Sequence, residues 1–237
     1  MLLELRQVCK QYNNGNVVIR DLNADLPEGR ILGLLGPNGC GKTTLIKMIS
    51  GLLPVTSGSI RIDGRLPGPD SAGIISYLPE RPYFDPVMKA SELLDYFSDF
   101  YPDFHRDTAE RLLSDLKIDP KSRMKTLSKG NREKVQLALV MSRQARLYLL
   151  DEPIAGVDPA SRDYILETIV GQYNRGASVV ISTHLIRDVE TILDEFVFMG
   201  YGGAVMAAGD VRETRAREGR SLDELFREVF SYVPQSF

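Results

Sequence analysis

The feature that most constrains this chain is GPNGCGKTT, Gly36 to Thr44, set between the unbroken apolar run ILGLL and the helix-like stretch LIKMIS. Gly36, Gly39 and Gly41 allow the backbone to turn its N–H groups toward phosphates, which Cβ atoms at those positions would obstruct. Lys42 offers a point charge to the β- and γ-phosphates of a nucleotide, and Thr43 offers a hydroxyl to Mg²⁺. A strand before the loop and a helix after it are the context this chemistry needs.

The surrounding pattern supplies that context. LLELRQV and VVIRDLNADL alternate apolar and polar residues and predict antiparallel strands ahead of the buried ILGLL. SGSIRIDG predicts a further short edge strand. Leu45, Met48 and Ile49 share one helical face, and Gly51 is placed to end that helix. From about residue 88 to 143 the periodicity is helical, in ASELLDYFSDFY, DTAERLLSDLKI and NREKVQLALVMSR. LYLL and SVVIST are continuous apolar runs, as expected of parallel strands covered on both faces, with ASRDYILETIVGQY as the helical crossover. FVFMGYGGAVMAAGD predicts a late hairpin turning at Gly200 to Gly203. SLDELFREVF carries a cap at Ser221, Glu224 three residues on, and Leu222, Leu225, Phe226, Val229 and Phe230 on one face.

Composition narrows the partners. The chain has 237 residues, 43% hydrophobic and 26% charged, with a net charge of -3, so it lacks the positive field that would hold a nucleic acid. In RETRAREGR, Arg212 to Arg220, glutamates interleave with the arginines, which suits a solvated helix face. MLLELRQVCKQY is interrupted by Glu4 and Arg6 and makes no signal peptide. No stretch approaches the ~18 apolar residues of a membrane span, so work at a membrane would require a partner. Cys9 and Cys40 are far apart and read as reduced thiols of a cytosolic protein.

Asp151 and Glu152 follow LYLL, at the end of a central strand where open α/β sheets bind ligands. Asp151 is the expected carboxylate on Mg²⁺, and Glu152 can polarise an attacking water as general base; a solvated acid pair is the plainer alternative. These motifs fit many nucleotide hydrolases and kinases. LSKGN, Leu127 to Asn131, narrows the choice. With the glycine-rich loop, SYLPE, DEPIAGVDP and STH, it makes the chain resemble the ATP-binding cassette family, as the ATPase subunit of a transporter, in order and spacing over nearly its whole length.

The resemblance implies an α/β fold: a P-loop NTPase core with a mainly parallel central sheet, an N-terminal antiparallel β subdomain and an inserted α-helical subdomain. As a single domain of residues 1–237, it would divide into a core of 1–80 and 144–210, a helical insertion of 81–143 and a helical tail of 211–237. Asn38, Gly39, Cys40, Gly41, Lys42, Thr43 and Thr44 would hold ATP, and Thr43, Asp151 and Glu80 would hold Mg²⁺, although the family usually has glutamine at the position of Glu80. LSKGN matches the signature usually written LSGGQ, which caps the γ-phosphate of ATP on the opposite subunit. Ser128 can donate a hydroxyl there, Gly130 allows close approach, and the following helix aims its dipole at an anion; Ser128 could equally be a helix cap. Lys129 and Asn131 depart from the motif. His184 matches the switch histidine that contacts the γ-phosphate, Asp158 the loop crossing the dimer interface, and Tyr12 the aromatic that stacks on adenine.

The same resemblance implies a homodimer or heterodimer around two Mg-ATP. A separate multispanning transmembrane permease would be its partner, and the subunit would lie peripherally on the inner face of the membrane. The form of SYLPE and the short C-terminus suggest exporters of the antibiotic-resistance kind. The alternative is a soluble cassette ATPase acting on chromosomes or ribosomes, but the long coiled coil or second cassette of those proteins is not seen. A GTPase would need an NKxD motif, which is missing. Eight aromatics crowd Tyr77 to Phe104. Tyr96, Phe97 and Phe100 are expected in the core of the helical insertion, and Tyr83, Phe84, Tyr101 and Phe104 on a surface that docks the permease.

Overall fold

In the first strand, β1 (Leu3–Gln11), the side chains of Leu3, Leu5 and Val8 turn inward. Gln7 sits at φ 48 and the register shifts there, so a bulge resets the alternation. The structure, a computed structural model, describes residues 1–173 and 176–231. β1 pairs antiparallel with β2 (Val17–Leu26) and with β4 (Ser57–Ile62), giving a three-stranded sheet in the order β2-β1-β4. β3 (Ile31–Leu35), β5 (Ile75–Leu78), β6 (Leu147–Asp151), β7 (Ser178–Thr183), β8 (Glu195–Met199) and β9 (Val205–Asp210) form the second sheet. Its order is β5-β6-β7-β3-β8-β9, parallel throughout except for β9.

The helices are α1 (Lys42–Ile49), the short α2 (Pro69–Ala72), α3 (Ala90–Phe100), α4 (Arg106–Asp115), α5 (Lys129–Met141), α6 (Pro159–Gln172), the short α7 (Ile186–Val189), α8 (Val211–Glu218) and α9 (Leu222–Ser231). Ser221 and Glu224 cap α9 reciprocally. Residues 232–237 of the expected tail lie outside the described residues.

The period of two along the central strands divides the core. Tyr148, Leu150, Val179 and Ile181 face a cluster shared with α3 to α6, whereas Leu147, Leu149 and Val180 face a cluster shared with α1 and the three-stranded sheet. The helical insertion is fastened to the sheet edge by polar contacts from α5 and its end. Ser76 Oγ donates to Val140 O (2.9 Å), Gln136 Nε2 donates to Pro79 O (3.2 Å), and Arg143 Nη1 donates to Ile75 O (2.6 Å).

The aromatics of the insertion sort differently from the sequence expectation. Phe97 is buried, but Tyr96 and Phe100 are 50% and 64% exposed and stack on each other at 5.6 Å. They lie four residues apart on one helical face, and Phe97 lies on another. Phe84, Tyr101 and Phe104, expected at the surface, pack around Phe97 with ring centroids 5.3 to 5.9 Å away. Only Tyr83 of the expected docking set is exposed, at 59%.

Candidate nucleotide site

The ends of β3, β5, β6 and β7 converge on one side of the sheet, and each delivers part of the site. Gly36 follows β3. A Cβ there would lie 2.3 Å from Met199 O and 2.7 Å from Cys40 Sγ, so packing beneath the loop also requires a glycine here. Gly41, at φ 108, turns the chain into α1 under Val18. Cys40 is fully buried, and burial pushes its thiol pKa up. Of the loop residues expected to touch a nucleotide, it alone is missing from the lining of the adjoining cleft.

Lys42 is 5% exposed. Its Nζ donates to the carbonyls of Gly36 (2.8 Å) and Pro37 (3.2 Å) and lies 3.5 Å from Glu152 Oε1. Thr43 Oγ1 donates to Asp151 Oδ1 (3.1 Å), and Ser182 Oγ donates to the same oxygen (2.5 Å). Burial raises the Asp151 carboxyl above its ordinary range; the Ser182 and Thr43 hydrogen bonds oppose this, and the charges of Glu152 and Glu80 add to it. Asp151 Oδ2 is buried and has no hydrogen-bond partner among the described residues. A bare carboxylate oxygen beside a threonine hydroxyl is the donor set a hard divalent cation completes, so these residues fit Mg²⁺.

Glu152 adopts φ 51, in the left-handed region where a non-glycine residue bears about 1–3 kcal/mol of strain. Its N–H donates to the carbonyl of Ser182 (3.0 Å), and its carboxylate accepts from Thr183 Oγ1 (3.2 Å). His184 Nδ1 lies 3.1 Å from both carboxylate oxygens. A carboxylate only accepts, so Nδ1 carries the proton and Nε2 is left for another partner.

These groups border a cleft of about 540 Å³ lined by Val18, Asn38, Gly39, Gly41, Lys42, Thr43, Thr44, Glu80, Glu152, Ala155 and His184. The volume suits a ligand of nucleotide size. Tyr12 is not in the lining; it lies at the exposed turn after β1, with Lys10 Nζ 5.4 Å from its ring centre. Ser128, Gly130 and Asp158 also lie outside. Ser128 Oγ caps α5 by accepting from Asn131 N (3.2 Å), and a Cβ on Gly130 would meet nothing within 4 Å. Asp158 Oδ1 caps α6 by accepting from Ser161 N (3.0 Å), and hydrogen bonding from the Ser161 side chain, aided by this backbone bond, holds its carboxyl below the usual range. Lys129 reaches across, its Nζ 3.3 Å from where a Cβ on Gly156 would stand.

Sequence reasoning missed Val18 and Ala155 in the lining, and Ser182 and Thr183 as the donors that hold the two acids. The polar pair closing the apolar run SVVIST is the signal that could have found the last two.

Residues 19–155 match the family model described as ABC transporter. The uncharacterized ABC transporter ATP-binding protein YhaQ of Bacillus subtilis is 32% identical, over 92% of this chain and 74% of that protein. The linearmycin resistance ATP-binding protein LnrL of the same organism is 29% identical, over 100% of this chain and 77% of that protein. A solved structure described as the ATP binding subunit of an ABC transporter is 31% identical and superposes with a TM-score of 0.85, covering 97% of this chain and 99% of that one. Carried by a phosphate loop, a strand-end acid pair and a match over most of its length, the chain belongs to the ABC transporter family as an ATP-binding, ATP-hydrolysing subunit.

Proposed function

We propose that the chain is the ATPase subunit of an exporter, working as a homodimer or heterodimer around two Mg-ATP and driving a separate multispanning permease from the inner face of the membrane. The observation that carries this reading is the cluster of Lys42, Glu152 and His184 within 3.5 Å contacts at the wall of the cleft. Ser128 and Gly130, which the family resemblance assigns to a γ-phosphate, line no part of the cleft in their own chain. That supports a site shared between two copies, with Asp158 near the junction.

In this reading Lys42 and the loop N–H groups hold the phosphates, Glu152 takes a proton from the attacking water, and His184 fixes the Glu152 carboxylate through Nδ1. Thr43, Asp151 and Glu80 would hold Mg²⁺, which when bound neutralises phosphate charge. The helical insertion, residues 81–143, belongs with the core to one catalytic domain. The resistance function named for LnrL supports export. Exposed Tyr83, Tyr96 and Phe100 suit aromatic anchoring of a permease segment. Among the described residues no helix is long and apolar enough to cross a membrane.

Glu152→Gln tests the reading. It is expected to keep ATP binding, to run as a dimer on sizing chromatography with Mg-ATP, and to hydrolyse about 100-fold more slowly or worse. A variant that stays monomeric with Mg-ATP, or turns over at the wild-type rate, refutes the assignment.

A further inference from the structure

Three buried acceptors converge on one small space between α5 and the ends of β5 and β6. Glu133 Oε2, Gln136 Oε1 and Asp151 Oδ2 are each buried without a hydrogen-bond partner among the described residues. All three residues line a single cavity of about 10 Å³, together with Pro79, Glu80 and Glu152. That volume is enough for one water. The other end of the Gln136 amide is already fixed, since Nε2 donates to the carbonyl of Pro79, and the side chain is 1% exposed. An amide holds its donor and acceptor in one rigid plane. Gln136 therefore connects the peptide that leads into Glu80 with the cavity beside Asp151.

We propose that Gln136 is a positioning residue for the metal site, joined to Asp151 and Glu133 by one water held in this cavity. A water brings two protons for three oxygens, and the unmet oxygen is satisfied when a cation arrives at Asp151. The two protons then serve Gln136 and Glu133, both on α5, the helix that Ser128 caps. Occupancy of the metal site is thereby felt by α5, while the same Gln136 side chain holds the Pro79–Glu80 peptide. The inference rests on Asp151 and Glu80 as metal-holding residues.

Gln136→Met keeps length and volume but removes both polar atoms. With Mn²⁺ as the probe, read by electron paramagnetic resonance on the ATP-loaded Glu152→Gln background, it is expected to weaken the cation about tenfold, as loss of a partner one step from a metal does. Amide exchange in the nucleotide-free protein at Glu80 to Phe84 should accelerate several-fold, and metal-free ATP affinity should stay within about twofold of the parent. Leu139→Ala, on the same helix and fully buried, should lower the melting temperature and leave Mn²⁺ affinity unchanged. Unchanged Mn²⁺ affinity in Gln136→Met, with Asp151→Asn abolishing it, overturns the role of Gln136 alone. Unchanged affinity in Asp151→Asn overturns the metal reading beneath it.

Discussion

The nucleotide cleft and the helical insertion both bury charged side chains, yet they treat them in opposite ways. Arg143, at the root of the insertion, is 4% exposed and all three of its nitrogens are engaged. Nε and Nη2 donate to Asp103 at 3.0 and 3.1 Å, Nη2 also donates to Gly73 O and Nη1 to Ile75 O, and the guanidinium covers the Tyr101 ring at 3.8 Å. Asp151, behind the cleft wall, is equally buried but keeps one oxygen bare, and neighbouring Glu152 is held in a left-handed conformation. A buried charge whose partners are complete fastens two parts of a fold; one whose partners are incomplete costs stability until a ligand supplies the rest.

A large effect is expected on the completed side. Arg143→Met strands Asp103 and two backbone carbonyls, and a loss of about 3 kcal/mol in urea unfolding is expected. A loss below about 1 kcal/mol would mean that the insertion is held by its apolar cluster alone.

Asp151→Asn tests the incomplete side and should act in the other direction. The folded-state pKa of Asp151 is raised, so its favourable contribution is full below the unfolded value and is lost as pH rises through the folded value. At pH 7 the nucleotide-free wild type therefore carries a penalty that asparagine lacks, and the variant should melt a few degrees higher, on the order of 1 kcal/mol. That advantage should shrink as pH falls toward about 4. An advantage that is independent of pH would place the cost in packing and not in charge.

The smallest effect belongs to the exposed stack. Tyr96→Ser with Phe100→Ser should change stability by no more than about 0.5 kcal/mol, while the same change at Phe97 should cost about 3 kcal/mol or more. Equal costs would return the stack to the core.

The two regions also differ in how far the sequence revealed them. The phosphate loop, α1 and the acid pair are local: a buried strand, a turn and a helix follow one another in the chain, and their chemistry is written in adjacent residues. β5 escaped notice because four residues at a sheet edge carry too short a pattern. The sorting of Tyr96, Phe97 and Phe100 depends on which face of α3 meets α4 and α5, a tertiary fact that composition does not contain. Gln136 reads as an ordinary helix residue until the carbonyl of Pro79, far away in sequence, is brought to it.

The position of Lys42 has a consequence for how Glu152 is held. Its ammonium is shared among two loop carbonyls and the Glu152 carboxylate. Incoming phosphate oxygens compete for the same three N–H groups. Glu152 is also held by Thr183 and His184, so its carboxylate keeps two contacts that do not involve Lys42. The group proposed to activate water thus keeps its place through side chains from the neighbouring strand end, independently of the lysine that a phosphate would engage.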